Sequence, residues 1–183
     1  MKKLLAGILC MALLLTLCAC GKEKKADDDR LDVAYYAKLG KIPETDYALG
    51  MDIEKTKETL SVKDEQDGGM FDVTEGEKTV RIMTDGYAFY YEKEHAENGI
   101  SCIVCLNGGF GFQPGAISVE VTDALADYDA DEHPATDSET FFLPFAENCT
   151  CIAYGFGDYR LQFVFEENAL CGAVLSDPQN WTI

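Results

Sequence analysis

From residue 31 onward, apolar and polar positions change period several times along the chain. Residues 31–39 (LDVAYYAKL) suit a short helix ended by Gly40 and Pro43. Asp52 stands as a cap ahead of Ile53, Thr56 or Lys57, and Leu60, which share one helical face. After the acidic stretch 61–69 the period becomes two. Residues 70–73, 79–83, 87–91 and 100–106 then read as short strands, with Glu75-Gly76, Asp85-Gly86 and Asn98-Gly99 as turns. Glycines and Pro114 break the pattern over residues 107–115.

A second cycle follows. Residues 118–128 predict a helix with Ser118 as cap and Val121, Leu125 and Tyr128 on one face. An acidic, proline-containing stretch runs through Asp137, and strands are expected at 141–145, 149–154, 159–166 and 170–175. Residues 50–60 and 115–125 align without a gap, and Phe89-Tyr90-Tyr91-Glu92 echoes Phe163-Val164-Phe165-Glu166. The expectation is an α+β fold built as a tandem repeat of a small unit. Each unit has short helices on a three- to four-stranded antiparallel sheet, one over residues 31–112 and the other over 113–183.

Leu49-Gly50-Met51-Asp52, leading into a helix that ends near Leu60 with strands beyond, resembles the beta-lactamase inhibitory protein fold and the small outer-membrane assembly lipoproteins. The second cycle departs from that start, with Pro114-Gly115-Ala116-Ile117. The resemblance implies non-catalytic units that bind other proteins or help assemble envelope complexes.

The N-terminus has its own pattern. Lys2 and Lys3 precede an apolar run from Leu4 to Leu17, which has the order and length of an export signal. Leu17-Cys18-Ala19-Cys20 resembles the lipobox of bacterial lipoproteins. That resemblance implies a signal peptide over residues 1–19, lipidation of Cys20, and a tether over residues 20–30. The protein is then expected in the cell envelope, lipid-anchored on the extracytoplasmic side of the membrane.

Charge narrows the partners. The chain has 15 basic and 33 acidic side chains, a formal net charge of -18, so a phosphate backbone is repelled and no nucleic acid is expected. With 47% hydrophobic residues it has enough apolar material for a core.

The cysteines offer several chemistries. Cys102-Ile-Val-Cys105 has redox spacing, but it lies in a strand pattern without the helix N-terminus that lowers a thiol pKa. Cys149 and Cys151 are two apart and share a strand face, and a bridge from Cys151 or Cys149 to Cys171 is the candidate disulfide. Four thiolates on a structural zinc fit poorly with the spacing of that pair.

Asp127, Asp129 and Asp131 have the first three spacings of a calcium loop, yet Glu132 stands where glycine is needed and Ser138 where a bidentate Glu is needed. His95 and His133 lie in polar segments outside any catalytic motif. Aromatic residues Tyr87, Phe89, Tyr91, Phe110 and Phe112 form the candidate binding surface.

The sequence thus points to a membrane-anchored, non-catalytic module that recognises a protein or envelope partner through a sheet face, as a monomer or weak dimer. No catalytic residue, cofactor or metal ligand is expected. The alternative is a small envelope hydrolase with an acidic site, or a lipoprotein binding calcium or a small ligand weakly.

Overall fold

Asp32 opens the first helix, α1 (Val33–Lys38), by accepting the Tyr35 N–H at 2.9 Å, which satisfies one of the donors a helix start leaves unpaired. The computed structural model describes residues 31–67, 69–143 and 148–181. The expected signal peptide, the lipidated Cys20 and the tether lie outside the described residues. Among the described residues, no helix is long and apolar enough to cross a membrane. Val33, Ala34 and Ala37 make the buried side of α1.

Helix α2 (Ile53–Asp67) starts as its sequence predicts, with Asp52 accepting the Lys55 N–H at 2.8 Å and Thr56 and Leu60 buried. Asn98-Gly99, read above as a hairpin turn, instead ends a 3-10 helix (Lys93–Asn98). Gly99 has φ +77, and a Cβ there would collide with the Met51 carbonyl oxygen. The chain entering α2 bonds to this corner through Gly50 N–H to Ile100 O, 2.8 Å, so the position needs glycine.

The strands are β1 (Asp72–Glu75), β2 (Thr79–Met83), β3 (Tyr87–Glu92), β4 (Cys102–Cys105), β5 (Ala130–Pro134), β6 (Cys149–Phe156), β7 (Tyr159–Glu166) and β8 (Ala169–Ser176). Helix α3 (Ser118–Ala124) lies between β4 and β5, with Val121 and Leu125 buried as expected. Ser118 does not cap it, because its Oγ donates to Asn168 Oδ1 at 2.6 Å. The expected strand at 141–145 is absent where described, since Phe141 and Phe142 lie in a turn.

All eight strands form one antiparallel sheet, ordered β1-β2-β3-β4-β8-β7-β6-β5. This corrects the expected tandem repeat of small three- to four-stranded units. Strand β4 pairs with β8 through Ile103↔Leu175 and Val104↔Val174, and the paired residues of that seam are buried. Two separate sheets would expose that ladder and its apolar side chains to water, so the edges join. Leu31–Ile183 forms one compact unit.

The sheet buries both faces over much of its width. The first face carries Ile82, Phe89, Ile103, Leu175, Phe163, Ile152 and Tyr154, packed against α1, α2 and α3. The second carries Ala88, Tyr90, Cys102, Val104 and Val174, under Trp181, Phe141 and Phe142. The segment that leaves β5 therefore crosses this second face.

Candidate metal centre

Strand register assembles the site. In the β5–β6 ladder His133 stands directly opposite Cys151, and Asp131 opposite Ala153. In the β6–β7 ladder Cys151 faces Val164, Ala153 faces Gln162, and Gly155 faces Arg160. Alternation puts Asp131, His133, Cys151, Arg160 and Gln162 on one face, the second. The chain beyond β5 turns back over that face at Thr136, and Glu139 reaches the group from above.

Thr136-Asp137-Ser138-Glu139 is a one-turn capping arrangement, in which the Glu139 carboxylate takes the Thr136 N–H at 3.0 Å and its Oγ1 at 3.0 Å. Glu139 Oε1 also meets His133 Nε2 at 2.9 Å, Gln162 Nε2 at 3.0 Å and an Arg160 guanidinium nitrogen at 3.4 Å. Gln162 Nε2 lies 3.5 Å from Cys151 Sγ. His133, Glu139 and Cys151 place one ligand atom each within 4.8 Å of one another. Among the described residues, this is the group of His, Cys, Asp or Glu side chains spaced to hold a metal ion.

Burial sets the electrostatics. The Glu139 side chain is only 10% exposed, against 28% for His133. Burial alone pushes Glu139 upward, but the Thr136 N–H, His133 and the Thr136 hydroxyl together hold it below the usual glutamate range. Cys151 is fully buried, and burial pushes its thiol up to about 12 despite the Gln162 donor. The buried His133 Nδ1 makes no hydrogen bond, and the Asp131 carboxylate stands 3.6 Å away.

A pH dependence follows from Glu139. Its folded-state value lies below its unfolded one, so unfolded chains bind the proton more readily. The stability it contributes is present above the unfolded value and fades as pH falls through the folded one. Glu139→Gln is therefore expected to flatten the acid limb of unfolding free energy against pH in urea titrations of the metal-free protein. An unchanged limb would contradict this assignment.

The other expected sites are placed differently. Tyr87, Phe89, Tyr91, Phe110 and Phe112 all pack into the first-face core, with Phe89 0% and Phe110 2% exposed. Phe89, Tyr91 and Phe110 are buried there, while Tyr87 and Phe112 are partly buried against the same core. Cys151 and Cys171 are separated by the whole of β7, about 9–10 Å at the usual strand spacing, which is beyond disulfide reach. Cys171 is the extra residue of a bulge, since Val164 pairs with Gly172 and Phe165 with Leu170.

Cys102 and Cys105 point to opposite faces, which removes both the redox pair and a four-thiolate zinc site. The calcium-type spacing also gathers nothing. Asp127 and Asp129 are exposed ahead of β5, and Asp131 is turned to His133.

His133 and Cys151 were weighed in the sequence for other roles, and Glu139 was missed. Strand β5 (ADEHP) has no apolar alternation, because it is an exposed edge strand. The Thr-x-x-Glu capping signature was the one local sign of Glu139. The non-catalytic expectation is corrected as well. Three converging ligands with one histidine and one thiol are a donor set that metal-assisted chemistry uses, so a purely passive, enzyme-excluding reading does not stand.

Searches for a matching protein family, a similar curated protein and a similar solved structure each find none. None of these comparisons supports the resemblances to bacterial lipoproteins and to tandem inhibitory-protein modules. The continuous sheet independently overturns the repeat.

Proposed function

We propose that this protein binds a divalent transition metal of the zinc class through His133, Glu139 and Cys151. The observation that carries the reading is the convergence of their ligand atoms within 4.8 Å on one sheet face. Donors around tetrahedral zinc sit about 3.4–3.6 Å apart, given metal–ligand bonds near 2.0–2.3 Å. The His133–Glu139 contact at 2.9 Å then opens by about half an ångström when the ion takes the place of their hydrogen bond.

The donor chemistry selects the metal. A thiolate with an imidazole and a carboxylate suits zinc and its neighbours, whereas calcium and magnesium prefer oxygen alone. With His133 ligating through Nε2, its Nδ1 stands 3.6 Å from the Asp131 carboxylate, too long for a hydrogen bond but on the side where a carboxylate–histidine–metal arrangement would fix the ring tautomer. A net charge of -18 concentrates cations around the chain. Three protein ligands leave a coordination position for water or substrate, the composition of catalytic zinc sites. Hydrolysis by metal-activated water is the reaction class such a site serves.

The test is calorimetric titration of the metal-free protein with zinc in buffers of differing ionisation enthalpy. One-to-one binding is expected, with a proton released, because the Cys151 thiol must ionise to ligate. Binding should tighten as pH rises. Heat indistinguishable from dilution at neutral pH would sink the proposal.

A further inference from the structure

We propose that the open position of this metal centre takes a small oxyanion, a phosphate or carboxylate group, held by Arg160 over a shelf formed by Ala153 and Gly155. The inference rests on the metal reading above and names the ligand class of the same site.

The shelf follows from the strand register. Beyond Cys151 toward the C-terminal end of β6, the same face offers only Ala153 and Gly155, opposite Gln162 and Arg160 of β7. A Cβ at Gly155 would meet nothing within 4 Å, so the space opposite Arg160 is open. The metal ligands border this space, and the Arg160 guanidinium stands beside them next to Glu139.

Arg160 is suited to the task. Its side chain is 40% exposed, and its contact with Glu139 Oε1 is 3.4 Å. Charge-assisted hydrogen bonds run nearer about 2.7–2.9 Å, so Glu139 does not fully engage the guanidinium. A planar guanidinium carries five N–H donors and binds oxyanions in bidentate fashion. Gln162, 8% exposed, adds an amide donor already turned toward Glu139 and Cys151. Once Glu139 and Cys151 neutralise a divalent ion, Arg160 remains as the cation of the shelf. Asp131, 75% exposed, flanks it from β5 and limits the charge it accepts, which favours one oxyanion group over a polyanion.

Cobalt reports on this without activity. The full chain is loaded with Co²⁺, and its visible and thiolate charge-transfer bands are followed while inorganic phosphate, then acetate, is added. Saturable shifts of the bands are expected with the native chain. Arg160→Gln should raise the apparent phosphate Kd about tenfold or more, as loss of a charged hydrogen bond implies. Gly155→Val, which fills the shelf at a backbone conformation any residue adopts, should weaken phosphate similarly. Lys93→Gln, which breaks an ion pair with Glu75 on the other half of the sheet, should leave the titration as it was.

Cobalt bands that ignore millimolar phosphate overturn this inference and leave the metal reading intact. So does an Arg160→Gln titration that matches the native one. A native chain that takes up no cobalt removes the metal reading and this inference with it.

Discussion

Cys151→Val is expected to lower zinc affinity by roughly a hundredfold or more, since even changes to the outer partners of zinc ligands cost about 10–100-fold. The side chain lies at 0% exposure, directly opposite His133 on the neighbouring strand. Valine keeps an apolar side chain of similar size there and removes only the ligand. Serine would bury a hydroxyl, mixing a folding penalty with the binding loss. His133→Ala is expected to act to a similar degree, and the two losses should not add, because either change leaves a two-ligand site. Competition against a chromophoric chelator measures both. Affinities within threefold of the native chain would mean that the cluster is a hydrogen-bond network and holds no metal.

Phe163→Ala is expected to reduce unfolding free energy by about 3–5 kcal/mol. Phe163 is fully buried at the centre of the first face, between Ile152 of β6 and Ala173 of β8. Its ring meets Phe110, Phe112 and Tyr154 edge-on, at centroid distances of 6.4, 5.5 and 6.4 Å. Alanine would remove the shared partner of all three rings and leave a cavity that a sheet cannot close by shifting. Phe163→Leu should cost distinctly less. Guanidinium unfolding with an unchanged m-value is the measurement. A loss below about 1 kcal/mol would show that the aromatic cluster repacks around the gap.

The elements that bury an amphipathic face were legible. Residues 79–83 and 159–166 coincide with β2 and β7, and Asp52 caps α2 as the spacing predicts. Val121 and Leu125 face inward from α3. The failures have definite causes. Strand β5 is acidic and exposed, held by its ladder to β6 and not by burial, so no hydrophobic period marks it. The aromatic residues of β3 and the 107–115 junction read as a surface because alternation reports which positions share a face. It does not report whether helices cover that face.

The metal centre was the least legible part. His133 and Cys151 are far apart in sequence and meet only through antiparallel register, and Glu139 joins them from a connection that crosses the sheet. A one-residue slip of β5 would send His133 to the opposite face and dissolve the cluster. Nothing local in Ala-Asp-Glu-His-Pro encodes that register.

By itself, then, the sequence determined the acidity of this protein, its α+β content and most of its helix and strand positions. Those depend on side-chain chemistry and on periods of a few residues, which act locally. The tertiary structure alone decided that the strands form one sheet, that the aromatics lie inside, and which ligands meet. Such outcomes depend on which edges and faces find each other, and the energy gained at the β4–β8 seam is shared between segments that no local pattern connects.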